Sequence, residues 1–164
     1  MKDISKNGCY LSLSYPLVIS VGERISTVPQ VKLKVKQFVQ TQLISASALE
    51  SLGSVIPAEI QQLTFYEAQW SHMSHVEQFD ELVREKGLKF ADPLTLISCM
   101  LNNPRQIHRF WSFGTAWFDE NKGVYMYASF TSVNAYSEIV LAIDEWSKGL
   151  KEFEKWWWTP LIPI

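Results

Sequence analysis

The chain has 164 residues, about one domain's length, with 47% apolar and 20% charged side chains. That much apolar surface offsets the entropy of ordering, which excludes an extended disordered chain. Fifteen basic against 17 acidic side chains leave a formal charge of −2, which excludes the global electrostatic footprint of a dedicated nucleic-acid binder and that of a strongly acidic nucleic-acid mimic.

Met1 to Asn7 start basic but carry no apolar core. The run from Cys9 to Val21 is broken by Ser12, Ser14 and Pro16, so it reads as strand and not as a signal peptide. Leu11 and Leu13 alternate with Ser12 and Ser14, the pattern of a half-buried strand that Pro16 ends or bulges. Val31-Lys32-Leu33-Lys34-Val35-Lys36 alternates strictly and predicts a second strand, with the lysines in water. The stretch 45–70 is ambiguous: Ser45 to Leu52 suits a short helix stopped near Gly53, Pro57 can open another with Ile60 and Leu63 on one side, and Leu63-Thr64-Phe65-Tyr66 equally suits a strand.

Ser74-His75-Val76-Glu77 is a capping-box pattern ahead of a helix bearing Val76, Phe79, Leu82 and Val83 on one face, with Gly87 as its stop. Asp92-Pro93 opens a helix that is apolar nearly all round, Leu94 to Leu101, closed by Asn102-Asn103-Pro104. Residues 107–118 and 123–131 predict a hairpin about the turn cluster Asp119 to Gly123. Beyond Asn134, Tyr136, Ile139, Ile143, Trp146, Leu150, Phe153 and Trp157 recur at spacings of three and four and predict a long final helix. The apolar tail 159–164 cannot continue it, because Pro160 and Pro163 lack donors. No repeat or linker divides the chain. The expected fold is one α+β domain, an antiparallel sheet of four or five strands packed against helices, with a long C-terminal helix.

Motifs for chemistry are absent. Cys9 and Cys99 form no CxxC pair, and Cys99 lies in an apolar helical run that suits a core thiol better than a nucleophile. His72 and His75 lie three apart, but neither Glu67 nor Glu77 completes a zinc-protease spacing, so no metal site and no cofactor is expected. The seven glycines are too dispersed for a phosphate-cradling loop. Lys32, Lys34 and Lys36 on one strand face would track a phosphate backbone or guard an edge strand, and the lack of interleaved aromatics favours the guard.

What stands out is aromatic surplus: 14 of 22 aromatic residues fall between Phe110 and Trp158. A small interior has to shelter them, or they form a docking surface. The sequence therefore points to a non-enzymatic protein-binding module, an accessory, inhibitor or immunity-type protein. Trp111, Trp117, Trp156, Trp157 and Trp158 would meet a protein partner or a second copy, with a possible homodimer through the final helix. The alternative is a small-molecule binder or enzyme with an aromatic-lined pocket, with His72, His75, Glu67 and His108 as polar handles. A reducing, cytoplasmic setting without a membrane span is the expected location.

Overall fold

A mixed β-sheet organises the chain in the computed structural model, which describes residues 3–6, 9–70, 76–133, 138–149 and 156–164. In chain order the elements are β1 (Ile4–Lys6), β2 (Cys9–Ser20), α1 (Val28–Phe38), β3 (Thr41–Ile44), α2 (Ala46–Leu52), β4 (Gln62–Trp70), α3 (Val76–Glu85), β5 (Leu88–Phe90), α4 (Pro93–Asn102), α5 (Pro104–Phe110), β6 (Ser112–Asp119), β7 (Val124–Val133), β8 (Glu138–Glu145), α6 (Trp146–Gly149) and β9 (Trp156–Pro163). Eight strands lie side by side in the order β1-β2-β4-β9-β6-β7-β8-β3, and β5 pairs with the end of β9. β3 runs parallel to β8, and β9 meets β6 in parallel where Phe113 faces Trp158. The expected antiparallel sheet of four or five strands is therefore corrected to a larger, mixed one.

Two misread segments account for most of that correction. Residues 28–38 are helix and not strand. Val31 and Val35 suit either period, because they are four apart; the residue that separates the two readings is Leu33, which is 59% exposed. Thr27 and Gln30 close a capping box at the helix start, and Pro29 sits in its first turn.

The second segment is the predicted long final helix. Residues 138–145 form the inner strand β8 instead, α6 is a single turn, and residues 156–163 are a strand in the middle of the sheet. Ile139, Val140, Leu141, Ala142 and Ile143 are all buried, alternately on the two faces. A short continuous run rich in β-branched residues is what a strand covered on both sides requires. The spacing of Ile139, Ile143 and Trp146 imitated a helical stripe by coincidence. Pro160 lies where β9 passes from β4 to β5, so its missing donor costs the ladder little. Ser74, Asn134, Tyr136, Leu150 and Phe153 lie outside the described residues.

Other elements agree with the residue patterns. Ser45 caps α2, and Asp92 Oδ1 accepts from Thr95 N–H at 2.8 Å to cap α4. The β6–β7 hairpin turns at Asp119 to Gly123, although residues 107–110 belong to α5 and not to the strand. Helices α1, α2, α4 and α5 bury one sheet face around Phe65, Phe113 and Phe130. Helix α3 covers the other face, together with Trp146 and Trp157. Among the described residues no helix is long and apolar enough to cross a membrane.

Candidate functional site

The five tryptophans singled out by composition do not form one patch. Trp157 is 3% exposed and packs against Trp146, with ring centroids 6.2 Å apart. Its six-membered ring lies directly over Gly114, in the space a side chain would take. Trp158 points to the opposite face, half-buried and edge-on to Phe110 at 5.5 Å. Trp117 is half-buried and donates its Nε1–H to Ser51 Oγ at 2.9 Å. Trp156 pairs with Gln69 through the backbone, and its side chain lies outside the described residues. Trp111 alone of the four described side chains is largely in solvent, at 58% exposure.

Trp111 is also unusual in its backbone. It ends α5 with φ 74° and ψ −48°. Glycine commonly takes positive φ at a helix end, but this ψ falls outside the left-handed helical basin and in the strained γ-turn region. Two hydrogen bonds hold it there. Trp111 N–H donates to Ile107 O at 2.9 Å, and Trp111 O accepts from Ser132 N–H at 2.7 Å. The other non-glycine residue at positive φ, Tyr15, sits in the β2 bulge before Pro16, which gives it a local cause.

Helix α5 supplies the surroundings. Asn103-Pro104 starts it, and Ile107 buries its inner side. Arg105 and Arg109 lie one turn apart on its exposed side. They are two of the chain's four arginines, and the helix carries no acidic residue. Among the described residues neither has a carboxylate at ion-pairing distance. Arg109 lies over the Phe110 ring at 5.0 Å. Phe110 meets Phe113 at 6.3 Å, and Phe113 meets Phe65 at 5.1 Å, both edge to face, so a chain of rings ties this corner to the core. His108 Nδ1 is 3.2 Å from Ser132 Oγ. The result is a rigid corner presenting one indole and two guanidinium groups. Sequence reading named Trp111 but placed it in a strand; the signal for the helix was Asn103-Pro104 with Ile107 three residues on.

The remaining candidates disperse. His72 and His75 lie outside the described residues, while Glu67 is on β4, where it pairs with Trp158, and His108 is on α5. No group of three metal-ligating side chains occurs among the described residues. A cleft of about 160 Å³ lies between Arg24, Ile25, Glu59, Thr95 and Ser98. It contains none of the four polar handles and is smaller than the ~300–1,000 Å³ of ordinary ligand pockets. Arg24 there is committed to the carbonyls of Ala58 and Ile60, both at 2.5 Å. Burial pushes the Cys99 thiol up to about 12 and the Cys9 thiol up to about 11, which leaves both protonated and unreactive near neutrality. Lys32, Lys34 and Lys36 lie on helix α1, with Lys34 3.8 Å from Glu23, so no phosphate-tracking strand face exists. Comparison with family models, with curated proteins and with solved structures finds no match to this chain.

Proposed function

We propose that the protein is a non-enzymatic binding module, of accessory, inhibitor or immunity type, that engages an acidic protein surface through Trp111, Arg105 and Arg109. The observation that carries this reading is Trp111 itself, an indole 58% exposed on a backbone at φ 74°. A strained non-glycine residue costs of order 1–3 kcal/mol, and it persists where function or packing requires it. Glycine would serve the turn without strain, and more than half of the indole surface meets solvent. Trp and Arg are the residue types most often found as interface anchors. The two arginines add charge that steers an acidic partner. Two buried thiols with no disulfide between them accord with a reducing, cytoplasmic setting.

The test is a quantitative affinity capture from the native host with the wild-type chain and Trp111→Gly as paired baits. A partner of acidic surface should be enriched on the wild type and lost on Trp111→Gly, while circular dichroism shows both baits equally folded. Equal recovery on both baits would refute the reading, as would no differential partner at all.

A further inference from the structure

We propose that the chain forms a two-fold dimer by antiparallel pairing of the free edge of β3 with β3 of a second copy, with Leu43 facing Leu43 across the axis. Among the described residues β3 closes the sheet, with β8 as its neighbour on one side only. Ser45 N–H donates to Ile143 O at 3.2 Å, which fixes the parity of the parallel ladder. By the two-residue period, Thr41 and Leu43 bond toward β8, and the N–H and C=O groups of Gln42 and Ile44 point outward. Such a row of backbone donors and acceptors is a template for another strand.

The sequence leaves this edge unguarded. From Gln37 to Leu49 no residue is charged. The opposite edge, β1, is three residues long and carries Lys6, with Asp3 just before it. Charge and shortness are the usual protections of an edge, and β3 lacks the first. β3 itself brings no charge to the seam, and the carboxylate beside it, Glu138, is held by the Thr41 hydroxyl at the start of the strand, away from the Leu43 axis. Leu43 is 53% exposed and shares a face with Ala142, on the side of the sheet away from the four-helix layer.

Geometry then selects the register. With Leu43 on the axis, Gln42 of each copy lies opposite Ile44 of the other, and each such pair exchanges both of its backbone bonds. Leu43 occupies the non-hydrogen-bonded site, where Cα atoms are ~4.5 Å apart and the side chains touch. This register both satisfies the outward groups and covers the exposed leucine. A four-residue edge buries less than the ~800 Å² per partner of a standard interface, so the dimer belongs to the weak, concentration-dependent class.

Sedimentation equilibrium of the full chain from ~10 μM to ~1 mM should show a monomer–dimer equilibrium and nothing larger. Gln42→Pro removes an outward N–H without touching the β8 ladder and should weaken the dimer at least ~10-fold, as should Leu43→Lys. Leu43→Cys should form an intermolecular disulfide on mild oxidation, because Cα atoms ~4.5 Å apart suit one, whereas Gln42→Cys should not. Trp111→Gly should leave the dimer unchanged, which separates this inference from the binding corner. A chain that stays monomeric throughout, a dimer indifferent to Gln42→Pro and Leu43→Lys, or open-ended association would each overturn it.

Discussion

Two indoles, Trp157 and Trp111, lie close to the same strand, β6, and are treated in opposite ways. Trp157 fills the space left by the missing side chain of Gly114 and is almost wholly buried. Trp111 leads into β6 from a strained turn and remains mostly in solvent. Composition counts these two alike. The difference is that the first completes a core, whereas the second keeps more than half of its surface in solvent, where it can meet something else.

Breaking the buried side has the largest expected effect. A Cβ on residue 114 would fall within the Trp157 ring, so Gly114→Ala should destabilise by about 3 kcal/mol or more, read as the urea midpoint at constant slope. Trp157→Ala should cost about 3–5 kcal/mol through the cavity it leaves. The two should be strongly coupled: adding Gly114→Ala to Trp157→Ala should cost much less than adding it to the wild type. Additive effects would mean that the ring does not depend on that glycine.

A smaller, pH-dependent loss also belongs to the buried side. Burial, with Asp144 as a lesser cause, pushes the Tyr127 hydroxyl up to about 12. Burial and then the hydrogen bond to Asp80 push Tyr125 up as well. The Cys99 thiol, raised to about 12, and the Cys9 thiol, raised to about 11, move the same way through burial. Each group keeps its proton in the folded chain at a pH where the unfolded chain has lost it. Their contribution is thus complete below the unfolded values, near 9 for thiols and 10 for tyrosines, and declines as pH rises toward the folded ones. Denaturant midpoints should be flat with respect to these groups up to pH 9 and fall between pH 9 and 12. Tyr127→Phe should make the fall shallower above pH 10, and an unchanged profile would show Tyr127 to be hydrated.

How far these features were legible depended on where local pattern and tertiary context agree. The Asp92-Pro93 cap and the hairpin at Asp119 to Gly123 are set by residues a few positions apart, and the sequence predicts them. β8 and β9 are strands because of what lies beside them, β7 and β3 in one case, β4 and β6 in the other. Nothing local separates Ile139, Ile143 and Trp146 from a helical stripe. Helix α1 fails in the opposite sense, since Val31 and Val35 satisfy both periods and the Thr27 box was the deciding clue. At the candidate site the residue type was visible, but the strain at Trp111 was not, because positive φ on a tryptophan has no sequence signature.

On the exposed side the fold should barely respond. Trp111→Gly relieves a positive φ but enlarges the entropy of the unfolded chain, so stability should stay within about 1 kcal/mol of wild type. Trp111→Ala removes the same indole but keeps a Cβ at positive φ, and should be less stable than Trp111→Gly by about 1 kcal/mol. Thermal melts of the pair check this. Alanine equal to or more stable than glycine would mean that the turn is not strained, and the case for a functional Trp111 would lose its foundation.

The smallest effect distinguishes the two arginines from each other. Arg109 places its guanidinium carbon 5.0 Å from the centre of the Phe110 ring, whereas Arg105 has no ring contact among the described residues. Lysine preserves the charge at either position but cannot stack as a plane. Arg109→Lys should therefore cost about 0.5–1 kcal/mol of stability, and Arg105→Lys close to nothing. Both variants keep the positive field, so partner association should remain salt-sensitive in each, whereas Arg105→Gln with Arg109→Gln should slow association and flatten its dependence on ionic strength. If Arg105→Lys and Arg109→Lys are equally stable, the guanidinium contributes charge alone, and the rigidity of the corner rests on the rings of Phe110, Phe113 and Phe65.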